Sequence, residues 1–502
     1  MADIERIGTG YFWNIFFASA LVCAGVQVLA RRHGRGQKGE ALLRPPPGFR
    51  AFQRVFLAVN LVAMLADWLQ GPYVYALYVH YGYDQGVIGV LFVTGYLSSA
   101  VFGAVAGGMA DILGRKKGCQ AFFVAYIISA LTKSSPSFHW LLFGRVASGL
   151  ATTLLHTAFE SWMVCEHFRR GFPAQLLGET FGKLALGNGV AAVSAGIIAQ
   201  TAANYYGPLA PFVVGSVLLA FSLAIVTLGW TENYGTAEAA DGDGAVGALV
   251  MRVAAGVRDG YSTILRDKRL FYLGMGQASF EAGMYTFVFM WTPALQANAA
   301  YHDAVRGSLG LIFAIFMVCT MTGSGVYGRL SSEDALGVRK LQPIVHAVAA
   351  MSCVAPALLP FHTPLMMLSF MALETMVGMF YPMYGTLRGA HVPEDKRAAI
   401  MSLFRVPLNL FVVVVLGNVQ SLSTSVVFVL CLAVHVAGFE AQLRFRRAAD
   451  AKTTTPPSGS GGFDFGGGGD DDGTSSGDGD GDGNGGAATA DVDNDDASSD
   501  ER

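Results

Sequence analysis

Thirteen apolar stretches of about twenty residues follow one another along the chain, separated by short turns that are polar or contain glycine or proline. A helix of about twenty apolar residues is long enough to cross the hydrocarbon core of a bilayer, so each stretch predicts a transmembrane helix. The predicted spans are 10–31, 52–78, 87–110, 118–134, 139–163, 178–203, 209–230, 270–293, 308–328, 341–360, 364–387, 398–418 and 422–443.

The first span differs from a cleaved signal peptide in its flanking charges. Asp3 and Glu5 precede it and Arg31 and Arg32 follow it, whereas a signal peptide has a basic start and a small-residue cleavage site. We therefore predict a retained helix with its N-terminus outside. The loop at 231–269 divides the other twelve spans into six plus six. The predicted fold is all-α and polytopic, with two six-helix halves and one extra N-terminal transmembrane helix.

Composition and charge agree with a membrane protein. Hydrophobic residues make up 52% of the chain, charged residues only 14%, and the mean hydropathy is +0.43. Lysine and arginine accumulate in alternate loops, as expected on the cytoplasmic side, and only Lys133 and Arg306 lie near the opposite ends. We predict a multi-pass protein of the cell membrane with its C-terminus in the cytoplasm. An organellar membrane stays open, because no targeting motif is present.

The chain divides into five predicted regions. From Thr453 onward Gly, Asp and Ser replace almost all large apolar residues, a composition that buries too little surface to fold. The regions are 1–50 with the extra helix and a basic linker, 51–230 for the first half, 231–269 for a polar cytoplasmic linker, 270–448 for the second half and 449–502 for a disordered acidic tail.

A basic, glycine-containing turn separates the third and fourth spans. Its spacing, Gly107-x-x-x-Asp111-x-x-Gly114-Arg115-Lys116, resembles the loop signature of major facilitator superfamily transporters. Asp111 and Arg115 can pair with each other or with helix ends and hold one conformation closed. We expect them, with Lys183, to act in gating. In the alternative interpretation, the basic residues of this loop only set the topology.

Ionisable side chains at bilayer depth are costly unless they are paired or face water, so each one is a candidate for function. The candidates are Asp67, Arg145, Glu160, Lys183, Glu281, Glu374 and Arg405. Arg145, Thr152, His156 and Glu160 follow at helical spacing and share one face, which should line the bundle interior or a cavity. Pairing between neighbouring helices is the alternative, for example of Arg405 with Glu374 or of Lys183 with Glu160.

Several of these residues stand in motifs that resemble those of the molybdate-anion transporter family, within the major facilitator superfamily. The similarity covers about 10–448 and implies high-affinity molybdate uptake. The matching motifs are Asp67-Trp68-Leu69-Gln70-x-Pro72-Tyr73, Phe159-Glu160-Ser161-Trp162, Phe280-Glu281, Trp291-Thr292-Pro293 and Phe404-Arg405-Val406-Pro407-Leu408.

A tetrahedral oxyanion requires fixed hydrogen-bond donors, and arginine supplies several in a rigid fork. Arg145 and Arg405 are therefore the first candidates for substrate binding. Neutral hydrogen bonds are expected from four further residues, Gln70, Tyr73, Thr152 and His156.

Energetics favours coupling to protons. Moving a dianion inward against 100 mV costs about 4.6 kcal/mol, twice the value for one charge. We therefore expect proton symport by alternating access, with the protons carried by some of Asp67, Glu160, Glu281 and Glu374.

Other functions stay open at this stage. The chain can carry another anion, such as phosphate or sulfate, or a small organic solute, or it can be a non-transporting receptor or scaffold with the same fold. We expect no enzymatic activity, because no motif such as GxSxG or HExxH is placed where it could work. The expected partners are molybdate, protons and the lipid bilayer. We expect a monomer without nucleic acid, metal or cofactor.

Overall fold

The structure is a computed structural model that describes residues 2–37, 45–103, 105–234, 245–331, 336–393 and 396–453. The predicted acidic tail from residue 454 onward and residues 235–244 of the predicted linker lie outside the described residues.

Helices account for nearly all of the described chain. The first half and the segment before it contain α1 (Ala2–Gln37), α2 (Phe49–Gln70), α3 (Val74–His80), α4 (Gln85–Gly103), α5 (Ala106–Leu113), α6 (Arg115–Thr132), α7 (Phe138–Arg169), α8 (Ala174–Tyr206) and α9 (Ala210–Gly229). The remainder contains α10 (Ala245–Arg266), α11 (Lys268–Gln296), α12 (His302–Arg306), α13 (Leu309–Leu330), α14 (Val338–Ser352), α15 (Val354–Leu358), α16 (Thr363–His391), α17 (Arg397–Gly417) and α18 (Thr424–Thr453).

The predicted spans all fall on these helices, which confirms the predicted fold class. Ten stretches of the described chain are long and apolar enough to cross a membrane. The other three predicted spans coincide with α6, α7 and α11, which are 18, 32 and 29 residues long and more polar. The span predicted at 52–78 is broken into α2 and α3 at Gly71 and Pro72, where the missing proline N–H and fixed φ oppose a continuous helix.

Two boundaries differ from the prediction. The segment 231–269 is not only a polar connector, because it contains α10, which packs on α11 and α17. Gly260 of α10 lies against Ala399 and Leu403, so this helix covers apolar side chains at the start of α17. The motif at Pro293 does not end α11, which continues to Gln296.

The two halves meet along two helix pairs. Within the first half, α2 packs on α8 and α9, and α7 packs on α4 and α6. Within the second half, α11 packs on α17 and α18, and α16 packs on α13 and α14. The halves contact each other through α8 with α13 and through α4 with α17, which leaves the space between these two seams for a central site.

The extra N-terminal helix α1 packs on α13, in the second half, although it precedes the first half in sequence. Gln27 Nε2 donates a hydrogen bond of 2.9 Å to the carbonyl oxygen of Met321. Gly325 lies against the same glutamine, which allows the two helices to approach closely.

Candidate functional site: buried charges and a cavity beside the signature loop

A partly buried polar group joins three helices of the first half. Asp67 lies in the last turn of α2, just before the break at Gly71. The Tyr126 hydroxyl on α6 donates a hydrogen bond to Asp67 Oδ1, and Asp67 interacts electrostatically with His156 on α7. The structure thus brings together two predicted site residues, Asp67 and His156. Tyr126 was not predicted, because an aromatic residue in an apolar run gives no polar signal.

Arg145 is half-buried between α7 and α4. Its Nε donates to the carbonyl oxygen of Leu91 at 3.0 Å, and its guanidinium lies 5.1 Å from the centre of the Phe92 ring. Gly95 lies directly against the guanidinium, and a side chain there would collide with it. Among the described residues no carboxylate lies within ion-pair distance of Arg145, so its charge is available to an anion.

The C-terminal part of the predicted polar stripe of α7 lines a cavity. His156 and Glu160 line a cavity of about 580 Å³, together with Asp111 and Arg115 of the signature loop. Thr152, one helical turn before His156, is half-buried. The cavity therefore opens at the end of the bundle that carries the signature loop.

A hydrogen-bonded chain lies on the second half. Gln277 Nε2 donates to Glu281 Oε1 at 3.1 Å, and Arg388 Nη1 donates to Gln277 Oε1 at 3.2 Å. Glu281 is only 6% exposed, and it interacts electrostatically with Arg405 of α17 as well as with Arg388. Arg405 has no carboxylate within ion-pair distance among the described residues.

Sequence reasoning missed Arg388 and Gln277. Arg388 comes near the end of α16, where a positive residue is readily taken for one of the basic residues that set topology. Gln277 precedes Glu281 by four residues and so shares its helix face, a spacing that can indicate a partner for the carboxylate.

Two of the pairings considered as alternatives are wrong. Glu374 accepts a hydrogen bond of 2.9 Å from the Thr320 hydroxyl of α13 and forms no ion pair with Arg405. Lys183 pairs with Glu179, one turn earlier on α8, at 2.7 Å, rather than with Glu160. Because Glu179 also binds Arg50, Lys183 belongs to a polar network at the start of α2 and α8.

Gln70 and Tyr73 lie at the break of α2 and are buried, with 5% and 4% exposure. The Tyr73 hydroxyl lies at the main chain of Gly310 on α13, and Gly71 packs against Phe313 of the same helix. In this conformation Gln70 and Tyr73 are therefore both buried, and α13 of the second half covers Tyr73.

An aromatic pair connects the two halves near the arginines. Tyr96 of α4 and Tyr285 of α11 have ring centroids 4.8 Å apart. Arg145 interacts electrostatically with Tyr96, and Arg405 does so with Tyr285. Each predicted anion ligand thus interacts with one ring of this pair, Arg145 on the first half and Arg405 on the second.

The signature loop is held by an ion pair and by main-chain hydrogen bonds. Asp111 and Arg115 form an ion pair of 2.7 Å, as predicted, and Arg115 also donates to the carbonyl oxygen of Ser161 at 3.2 Å. The Glu232 carboxylate accepts hydrogen bonds from the main-chain N–H groups of Lys116 at 2.7 Å and Lys117 at 3.2 Å. A carboxylate at a helix N-terminus is favourable, so Glu232 caps α6.

The opposite end of the bundle is closed by contacts between the halves. Gln200 of α8 accepts hydrogen bonds from the N–H groups of Gly310 at 2.8 Å and Leu311 at 3.3 Å, and it donates to the carbonyl oxygen of Gly307 at 2.7 Å. One side chain of the first half therefore binds the start of α13 in the second. Tyr75 of α3 and Phe289 of α11 add an edge-to-face contact between the halves.

Comparison with known proteins agrees with this architecture. The profile of a family described as sugar transporters with 12 TM matches residues 11–380. The molybdate-anion transporter of Danio rerio is 34% identical over 425 residues, which cover 79% of this chain and 84% of the relative. That of Xenopus tropicalis is 35% identical over 374 residues, covering 72% and 78%. Both relatives are named as transporters and not as enzymes.

Solved structures share the fold at low sequence identity. The peptide transporter POT in complex with sulfate has a TM-score of 0.63 at 14% identity and covers 80% of this chain and 94% of its own. The nucleoside transporter NupG has a TM-score of 0.58 at 13% identity and covers 79% and 98%. Since the family profile and the two relatives match most of the chain, the protein belongs to the molybdate-anion transporter family and is a multi-span membrane transporter.

Proposed function

We propose that the protein takes up molybdate across the cell membrane by alternating access, with its N-terminus outside and its C-terminus in the cytoplasm. The observation that carries the proposal is the pair of cations, Arg145 and Arg405, one on each half. Neither is neutralised by an ion pair among the described residues, and each interacts electrostatically with one ring of the Tyr96–Tyr285 pair. Guanidinium groups suit an oxyanion, because they donate several hydrogen bonds in a fixed geometry.

In this proposal the conformation is open to the cytoplasm. The signature loop carries the basic residues expected inside, and the cavity opens beside it, whereas Gln200 and its partners close the other end. Outward opening would then separate α8 from α13 and uncover Gln70 and Tyr73 for the substrate. Thr152 and His156 would add neutral hydrogen bonds from α7.

Proton coupling completes the proposal. Inward movement of a dianion against 100 mV costs about 4.6 kcal/mol, so accumulation requires a driving ion. Glu281 is the most direct carrier, because an anion bound at Arg405 would compete with it for the same positive charge. Glu160 lines the cavity and Asp67 adjoins it through His156, whereas Glu374 lies on α16 in the second half, bonded to Thr320.

The test is uptake of nanomolar molybdate by cells that express the chain. Arg145→Ala and Arg405→Ala should each lower uptake at least tenfold at matched surface expression, while excess sulfate leaves wild-type uptake unchanged. Arg329→Ala is the matched control, because Arg329 is exposed at the end of α13 and away from the cavity. Uptake that survives in both arginine variants, or that is absent from folded wild-type protein at the surface, would overturn the proposal.

Coupling is tested in the same cells by changing external pH and by adding an uncoupler. Uptake should rise as external pH falls and should collapse with the uncoupler. Uptake that is insensitive to both treatments would contradict proton symport and leave the substrate assignment unaffected.

The aromatic surroundings of the arginines favour a second candidate substrate, a small organic anion. Tyr96, Tyr285 and Phe92 lie at the predicted anion ligands, and rings of this kind suit an apolar substituent. Competition by a panel of aromatic and aliphatic carboxylates separates the two candidates. If the substrate is an organic anion, a carboxylate of the panel should inhibit transport at a lower concentration than molybdate does.

A further inference from the structure

A cluster of histidine, glutamine and tyrosine side chains lies completely buried inside the second half. We call the following residues the histidine cluster: Gln342 and His346 of α14, Tyr384 of α16, and His435 and Gln442 of α18. Each of the five is 0% exposed. Buried polar groups are costly in a membrane bundle unless their hydrogen bonds are satisfied.

The direct hydrogen bonds within the histidine cluster meet at Tyr384. Gln442 Nε2 donates to the Tyr384 hydroxyl at 2.8 Å, and His346 Nε2 shares a hydrogen bond of 3.2 Å with the same hydroxyl. Six other buried atoms have no protein partner among the described residues. They are His346 Nδ1, His435 Nδ1 and Nε2, Gln342 Nε2 and Oε1, and Gln442 Oε1.

Glycines of the neighbouring helices make the space that the polar groups occupy. A Cβ atom on Gly276 would lie 2.6 Å from the Tyr384 hydroxyl, and one on Gly438 would lie 2.5 Å from His346 Nδ1. A Cβ on Gly283 would collide with His435 Nε2. Glycines of α11 and α18 thus leave space for imidazole and amide groups whose hydrogen bonds the protein satisfies only in part.

Water is the ligand that fits such a site. It both donates and accepts, and buried waters typically bind polar groups that lack a protein partner. A metal cation is less suitable, because the cluster contains no carboxylate or thiolate and its two imidazole centroids are 6.4 Å apart.

The histidine cluster adjoins the proposed coupling residue. Tyr384 interacts electrostatically with Glu281, and it precedes Arg388 by one turn of α16. Arg388 binds Gln277, which binds Glu281. Hydrogen bonds therefore join His346 to Tyr384 and join Arg388 to Glu281 through Gln277, and an electrostatic interaction between Tyr384 and Glu281 connects the two groups.

We propose that the histidine cluster is a hydrated proton-relay site, which holds water on its imidazole and amide groups and exchanges a proton with Glu281. In the inward step the Glu281 carboxylic acid loses its proton to this water, and a neutral imidazole nitrogen accepts it. The titratable or charged groups that face the two histidines are each other, Tyr384 from α16 and, beyond Tyr384, Glu281 and Arg388. The relay rests on the proposed function, whereas the water site does not.

Hydration is tested first, by radiolytic hydroxyl-radical labelling of the full protein in nanodiscs. Residues beside bound water are labelled even when bulk solvent cannot reach them, so Tyr384 should be modified at least fivefold faster than Phe370, which is also 0% exposed but lies among apolar side chains. Equal rates for Tyr384 and Phe370 would overturn the water site.

The relay is tested by comparing two transport modes in His346→Gln and His435→Gln. Uptake driven by a proton gradient should fall at least tenfold further than molybdate exchange at equal pH, because exchange requires no net proton transfer. A parallel fall in both modes, or no fall in either, would overturn the relay. Tyr384→Phe, which keeps the ring and removes the hydroxyl, gives a second variant if a glutamine variant fails to fold. Wild-type protein that moves no proton with molybdate would overturn proton coupling and the relay together, and the labelling would still decide the water site.

Discussion

The carboxyl group of Glu232 lies so close to Gly114 that a Cβ atom on residue 114 would be 2.6 Å from Glu232 Cδ. Gly114 has a φ of 114°, which side chains disfavour, and it immediately precedes α6. The glycine of the signature therefore has two physical roles. It allows the turn between α5 and α6, and it leaves room for the carboxylate that caps the next helix.

Gly114→Ala should consequently destabilise the protein and lower transport. The added methyl group would displace Glu232 from the N–H groups of Lys116 and Lys117 and would also be strained at this φ, at a combined cost of about 2 to 3 kcal/mol. Thermal unfolding in detergent and molybdate uptake at matched expression measure the two effects.

Gly171→Ala is the matched control for this prediction. Gly171 also has a positive φ, 69°, but no atom lies within 4 Å of a Cβ built there. The control therefore reports backbone strain alone, at about 1 kcal/mol. If the two alanine variants lose the same stability and the same uptake, the absence of a side chain at Gly114 is not needed for Glu232 to cap α6.

A second prediction concerns the closed end of the bundle. Gln200→Ala removes three hydrogen bonds between the halves, each worth about 1 kcal/mol net, and should shift the equilibrium toward the outward-open state. Ala195→Cys, at a buried position of α8, reports this opening when a membrane-impermeant maleimide is added outside. The background carries Cys165→Ser, because Cys165 lines the cavity.

Labelling at position 195 should be at least fivefold faster with Gln200→Ala than without it. Gln175→Ala is the control, since Gln175 is exposed and lies at the other end of the same helix. An unchanged labelling rate in the Gln200 variant would show that this glutamine does not hold the halves together.

The sequence predicts the spans well because each one is a local property. Twenty apolar residues and a basic loop can be recognised without knowledge of their neighbours. The helix α10 is different, because α11 and α17 provide the surface on which it packs. Nothing in the short segment 245–266 tells which surface it will cover, and the stretch was therefore predicted only as a polar linker.

The same distinction applies to the site. Charge alone was enough to predict four site residues, because an ionisable side chain at bilayer depth is costly and is usually kept for a function. They are Asp67, Arg145, Glu281 and Arg405. The identity of their neighbours depends on contacts between helices, such as the Tyr126 hydroxyl on α6 that binds Asp67 on α2. Such pairs follow from the fold and not from spacing within one helix.

A third prediction tests the contact between Tyr126 and Asp67. Tyr126→Phe removes the hydroxyl that donates to the carboxylate and keeps the ring that packs on Phe122 at 5.6 Å. A hydrogen bond to a charged group contributes about 1.5 to 3 kcal/mol, so molybdate uptake should fall about tenfold or more if Asp67 must be held in place.

Tyr83→Phe is the control for this substitution. The Tyr83 hydroxyl binds the carbonyl oxygen of Pro136 in a loop away from the cavity, so its loss should change uptake less than twofold. Equal uptake by the Tyr126 and Tyr83 variants would show that transport does not require the Tyr126 hydroxyl to orient Asp67.

The last prediction concerns pH and a carboxylate beyond the predicted span of α7. The side chain of Glu166 is 1% exposed and pairs with Arg169 and Arg170, each at 2.7 Å. Burial raises the pKa of this carboxyl, but the hydrogen bonds and charges of the two arginines outweigh burial and lower the pKa below its ordinary value. A carboxyl whose pKa is lower in the folded state stabilises the fold above its unfolded pKa of about 4.3, and this contribution is lost as the pH falls through the folded pKa.

Glu166→Gln should therefore lower the free energy of unfolding by about 2 kcal/mol at pH 7 and by less at pH 4, where wild-type protein begins to lose the same charge. Unfolding in detergent at the two pH values gives the difference. Glu440→Gln is the control, because Glu440 forms an ion pair of 2.8 Å with Arg444 but is 45% exposed, and solvent screens an exposed pair so that its loss should change stability little at either pH. If Glu166→Gln lowers the free energy of unfolding by the same amount at pH 7 and at pH 4, residue 166 stabilises the protein through packing and not through its charge.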